Sequence, residues 1–188
     1  MKGRLFLAAA LLGTVLVVSG CGSQTLDDQF VFGKNRISCA NETITLEVPF
    51  EMGISGKMAD LAPKDGEKVN AEGHNQYMQI LVTGERNPGK TVEGEAEAAA
   101  SLMGSNASVT GLQTQKDTVD IGPMKGIRLT FSFTDMEKGR ATELTVKEYI
   151  FQQKNTIWRV IYQYRTGDPV GRSLAERLEG KIVPGATF

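Results

Sequence analysis

YIFQQKNTIWRVIYQYR, Tyr149 to Arg165, contains two runs of alternating apolar and polar residues on either side of Lys154-Asn155. Alternation of this kind belongs to a half-buried strand, and two such runs around a two-residue turn form a hairpin. A turn at Lys154-Asn155 also sets the register. Phe151 then faces Trp158, Tyr149 faces Val160 and Lys147 faces Tyr162, which gathers the aromatic residues on one side and leaves Glu148, Arg159 and Gln163 on the other. Core is the first reading of the set Tyr149, Phe151, Trp158, Tyr162 and Tyr164. A binding surface is the alternative, since Tyr and Trp combine apolar area with a polar tip.

Working upstream, a two-residue turn at Lys138-Gly139 would pair Phe133 with Leu144, Phe131 with Val146 and Ile127 with Ile150, on the face opposite the aromatic set. The sheet then needs cover on both sides. A three-residue loop ending in Gly139 would reverse that parity and put one thick apolar layer on a single face. The reading adopted is two covered faces with one helix on each. Four β-type runs, about 108–121, 126–134, 141–152 and 156–165, therefore make an antiparallel meander. Another strand, Tyr77 to Thr83, precedes them, and Lys34 to Cys39 with Thr43 to Pro49 suggests a separate hairpin. Residues 51–75 hold glycines, Pro63 and alternating charges without periodicity, and are expected to be an irregular connection.

Two helices are expected. Val92, Ala96, Ala99 and Met103 recur at helical spacing, with Thr91 as N-cap, acids in the first turn and Gly104 as a stop. The second starts at Asp168 as N-cap with Pro169 in the first position, and repeats Val170, Leu174, Leu178 and Ile182. The fold class expected is α+β: an antiparallel sheet with two main helices, arranged as an α/β/α sandwich.

At the other end of the chain, Lys2 and Arg4 precede an uncharged run from Leu5 to Val18. Charge followed by a short apolar run is the order of a secretory signal peptide. Its fourteen residues reach about 21 Å as a helix, short of the roughly 30 Å of a bilayer core. Val18-Ser19-Gly20-Cys21 then resembles the bacterial lipobox, in which small residues precede a cysteine that is lipidated and becomes the mature N-terminus. The resemblance implies cleavage between Gly20 and Cys21 and attachment of acyl chains to Cys21; a buried core cysteine is the alternative. Two or three chains anchor firmly where one does not. The expected organisation is residues 1–20 as signal peptide, 21–30 as a lipidated tether and 31–188 as one α+β domain. Gly22 is not the aspartate that lipoprotein sorting associates with inner-membrane retention, so the outer membrane is favoured where there are two.

Charge narrows the partners. Loss of residues 1–20 removes Lys2 and Arg4 and no acid, leaving 19 bases against 22 acids. No basic stripe emerges, which argues against nucleic acid. With Cys21 lipidated, Cys39 is the remaining cysteine, expected as a small buried hydrophobe.

GERNPGKT, Gly84 to Thr91, matches the phosphate-loop pattern GxxxxGK[ST]. A working loop aims successive N–H groups at phosphate oxygens, and Pro88 has none to give. The strands that follow are hairpins, where that fold needs parallel strands alternating with helices. The nearest second acid for magnesium, Asp135, ends an alternating strand. The expectation is a turn feeding the Thr91 cap, with no nucleotide. His74 is the single histidine, so a multi-histidine metal site is excluded and a histidine triad would have to use it. Gly171-Arg172-Ser173-Leu174-Ala175 departs from the GxSxG nucleophile elbow at its last letter and lies in a helix. Asp60 and Asp65-Gly66 lack the alternating ligands of a calcium loop. No catalytic, cofactor or metal residues are assigned.

The order of elements, with TITLEVPF at Thr43–Phe50 and LAERLEGKIV at Leu174–Val183, resembles the PsbP-like superfamily, which includes the DcrB-like bacterial lipoproteins and the Mog-type Ran-binding proteins. The resemblance covers about residues 30 to 185. It implies an α/β/α sandwich and a role in binding or assembly without catalysis, with a protein partner. A small-molecule or lipid carrier, requiring an apolar cavity between sheet and helix, and an envelope hydrolase using His74 or Ser173 are the competing classes.

Overall fold

The computed structural model describes residues 25–54, 67–87, 89–137 and 139–185. Their elements run α1 (Leu26–Gln29), β1 (Gly33–Cys39), β2 (Glu42–Val48), β3 (Gly53–Ile54), β4 (Lys68–His74), β5 (Met78–Arg86), α2 (Val92–Ser105), β6 (Val109–Ile121), β7 (Met124–Glu137), β8 (Arg140–Gln153), β9 (Thr156–Arg165), α3 (Pro169–Leu178) and β10 (Ile182–Pro184). The large sheet has strand order β3-β4-β5-β9-β8-β7-β6 and every pairing in it is antiparallel. A second, three-stranded sheet has the order β1-β2-β10.

The register read from the two hairpin turns holds. Phe151 faces Trp158, Tyr149 faces Val160 and Lys147 faces Tyr162 across β8–β9. Phe133 faces Leu144, Phe131 faces Val146 and Ile127 faces Ile150 across β7–β8. Lys154 sits at φ 46 and Gly139 at φ 77, the left-handed backbone that short hairpin turns demand.

Both faces of the large sheet are therefore covered, and two cores result. On one face α2 lays Ala96 and Ala99 on Ile127, Leu129, Phe131, Val146, Ile150 and Ile157. Alanines at the contact let the helix axis approach the sheet closely. On the other face Tyr149, Phe151, Trp158, Val160, Tyr162 and Tyr164 pack beneath Leu174, Ala175 and Leu178 of α3 together with Ile37, Cys39, Ile44, Leu46 and Val48 of the β1–β2 hairpin. This layer is mixed, where a helix alone was expected: α3 is ten residues long and cannot cover seven strands, so the small sheet shares the work.

Three further expectations change. The region 51–75 is not all irregular, since β3 and β4 lie in it and pair with each other. β4 (KVNAEGH) has a weak strand composition, yet Gly73 is obligatory: a Cβ there would lie 2.8 Å from a Phe50 ring carbon and from the Glu51 carbonyl. Ile182 does not extend α3; it enters β10 opposite Leu46, because Gly180 and the small sheet's open edge end the helix at Leu178. α2 runs one residue past Gly104 to Ser105, with Asn106 as C-cap. Within the segment 21–30 expected as a lipidated tether, the described residues from Thr25 on carry α1: Leu26 and Phe30 pack against the aromatic core, and Arg177 of α3 holds Asp27 at 2.7 Å. Gly20 and Cys21, together with Asp60, Asp65 and Gly66, lie outside the described residues.

Candidate functional site

Of the phosphate-loop match, Gly84–Arg86 end β5 and Thr91 caps α2, while Pro88 lies outside the described residues. Gly84 is required by packing, because a Cβ there would sit 2.6 Å from the Trp158 ring and 2.9 Å from Cys39 Cβ. The N–H groups of Gly89 and Lys90, which a phosphate would need, donate to Asn87 Oδ1. Lys90 Nζ reaches Glu85 at 3.0 Å and Glu95 at 3.3 Å. The Glu85 bond raises the Lys90 pKa, while burial opposes it. Thr91 Oγ1 accepts from Gly94 N at 3.0 Å as an N-cap.

The aromatic set is core. Phe151 and Trp158 are fully buried, and the Tyr149 and Tyr162 rings lie 5.5 Å apart, tilted by 57°, in the layer between sheet and α3 where a carrier's apolar cavity would lie. At the rim of this layer stands a charged cluster that sequence reading did not find. Glu179, the C-cap of α3, accepts from Lys147 Nζ at 2.7 Å, Tyr149 OH at 3.0 Å and Arg128 at 3.0 Å, and Arg128 also holds Asp117 at 3.0 Å. Burial raises the Glu179 carboxyl, but its bonds to Lys147 and Tyr149 and the charge of Arg128 outweigh that and hold it below the usual carboxylate range. Burial pushes the Tyr149 hydroxyl well up, with the Glu179 charge adding to it. The cluster clamps the end of α3 to β7 and β8. On the opposite face Glu148 pairs with Arg159, also across neighbouring strands.

Cys39 has the environment expected of a buried hydrophobe. It is 2% exposed, and burial pushes its thiol up to about 11.

The remaining chemistry gathers at the β4–β5 turn, in a cleft of about 370 Å³ lined among others by His74, Asn75, Gln79, Leu144, Gln163 and Arg165. Register places it: His74 pairs with Gln79, and Gln79 with Gln163 on β9, so three polar side chains line up across three neighbouring strands. The two neighbours of Gln163, Leu144 and Arg165, face each other across β8–β9. Asn75 shapes the turn. Its Oδ1 accepts from Tyr77 N at 2.9 Å and Met78 N at 3.0 Å, which fixes the amide; its Nδ2 is shut off from solvent without a hydrogen-bond partner among the described residues. Ser173 is exposed on α3 and lines no part of this cleft. The β5–β9 pairing joins strands about eighty residues apart, and no turn in the sequence announces it.

No protein-family model matches the chain, and no curated protein sequence does. Among solved structures it is similar to LpqN, involved in cell envelope biogenesis of Mycobacterium tuberculosis, with a TM-score of 0.50 at 10% identity, over 85% of this chain and 96% of that one. It is also similar to a Pseudomonas aeruginosa protein of unknown function, PA94, with a TM-score of 0.47 at 13% identity over 83% and 99% of the two chains. The LpqN likeness is one of fold.

Proposed function

We propose that the protein is a lipid-anchored module of the cell envelope that works by binding or assembly and performs no catalysis. The observation that carries this reading is the order Lys2, Arg4, the uncharged run Leu5–Val18 and then Ser19-Gly20-Cys21, which has the form of a lipoprotein signal ending at a modifiable thiol. Acyl chains on Cys21 hold the domain on the extracytoplasmic side, at the outer membrane where there are two. A fold shared with LpqN, a protein of envelope biogenesis, supports the setting. We read the layout as resembling the PsbP-like sandwich, which makes a protein partner the expected ligand. The packed Tyr149–Tyr162 layer favours this reading over a carrier. The single histidine, in an open cleft apart from Ser173, favours it over a hydrolase.

Replacing Cys21 by Ser and fractionating cells tests the anchor. The wild-type chain is expected in the membrane fraction and released by detergent, and the variant is expected either soluble or retained as the unprocessed precursor. A variant that is still processed and membrane-bound contradicts the proposal.

A further inference from the structure

The cleft at the β4–β5 turn is one-sided in charge. Arg165 and His74 line it with the amides of Asn75, Gln76, Gln79 and Gln163, and no acid does, in a chain whose acids outnumber its Lys and Arg. Arg165 makes no ion pair among the described residues. Glu143 and Asp168 share a separate neighbouring cleft with it, and Asp168 Oδ1 is engaged by Val170 N and Gly171 N. A guanidinium fork beside amide side chains on strand ends is chemistry for phosphate or carboxylate oxygens.

The position of the cleft says which anion it meets. Three residues separate Cys21 from Thr25, so the chain between them spans at most about 14 Å. Beyond Thr25, α1 is a single turn, and the Phe30 ring lies edge-on to Tyr77, 5.8 Å between centroids. Tyr77 lines the cleft. The leash thus joins the domain on the aromatic face, beside the strand ends that carry the cleft, while Gln163 and Arg165 alternate to the other face of those same ends.

We propose that this cleft takes the phosphate of an anionic lipid headgroup in the membrane that holds the anchor, and so orients the domain with its β4–β5 end against the bilayer. The inference rests on the lipid-anchor reading. Charges that meet a surface in this way are screened by salt, so the contact weakens as ionic strength rises.

The test uses the native processed protein, its mass measured first, in vesicles of phosphatidylcholine alone or with phosphatidylglycerol added. Hydrogen exchange is read at residues 74–79 and 163–165. Exchange there is expected to slow several-fold with phosphatidylglycerol, and this protection should vanish in Arg165→Gln while the variant stays on both vesicles. Equal exchange on the two vesicles overturns the proposal, as does protection that persists in Arg165→Gln. A third arm adds inorganic phosphate to the protein in neutral detergent; protection equal to that on phosphatidylglycerol assigns the site to free phosphate and overturns the lipid source. An unmodified chain that fails to bind phosphatidylcholine vesicles refutes the anchor itself, and the proposal falls with it by a separate readout.

Discussion

Replacing Gly84 by Ala tests the packing that separates a structural glycine from a phosphate-loop glycine. An added Cβ would lie 2.6 and 2.8 Å from two carbons of the Trp158 ring and 2.9 Å from Cys39 Cβ. Carbon atoms rest about 3.5–4.0 Å apart, so the ring or β5 must move by close to 1 Å. Trp158 is fully buried between the sheet and the β1–β2 hairpin, and it has nowhere to go without disturbing both sheets. Overpacking of this kind costs about 1–3 kcal/mol. In a chain of this size each kcal/mol lowers the melting midpoint by roughly 2–4 °C. Urea titration of wild type, Gly84→Ala, Trp158→Phe and the double variant reads the effect. The smaller ring of Trp158→Phe makes room, so Gly84→Ala should cost at least about 1 kcal/mol less in that background, within the usual range for side chains in contact. Full stability of Gly84→Ala, or strict additivity of the two changes, would refute the placement of the indole against β5.

Three further outcomes follow from the same structure. Glu179→Gln leaves an acceptor oxygen for Lys147, Tyr149 and Arg128 but removes its negative charge, and should cost about 0.5–2 kcal/mol at neutral pH in denaturant titrations, the difference between a bond to a charged and to a neutral group. Its pH dependence has a definite sign: the folded carboxyl is held low, so its contribution is present above the unfolded value of about 4.3 and is lost as pH falls through the folded one, and wild type should converge on Glu179→Gln in acid. Cys39, buried with its thiol at about 11, should resist thiol reagents at pH 8 in the native state and react once urea unfolds the chain; ready native labelling would contradict its burial. Thr91→Ala should lose about 0.5–2 kcal/mol of stability by calorimetry through the Gly94 cap, and Thr91→Ser should restore most of it.

Much of the fold was legible because local turns fix parity. Lys154-Asn155 and Lys138-Gly139 each set which residues share a face, and from that the need for two covering layers follows without further information. Asp168-Pro169 and Thr91 likewise marked both main helix starts through the chemistry of their caps. What was hidden depends on distant pairing. β4 is rich in Asn, Glu and Gly, and becomes a strand because β5 offers it an edge. Ile182 continued a helical repeat in sequence but found Leu46 of β2 as a better neighbour. The candidate cleft is hidden for the same reason: Gln79 and Gln163 meet only through the β5–β9 pairing, which the sequence around His74 does not announce. Glu179 meets Arg128 and Lys147 only through the packing of α3 on β7 and β8, which no local pattern in the sequence announces.

The intact mass of the protein purified from its native membrane tests the central claim most directly. The account requires a chain that begins at Cys21 and carries the added mass of a diacylglycerol, with or without a third acyl chain. A chain that retains Met1 and an unmodified Cys21 would contradict it.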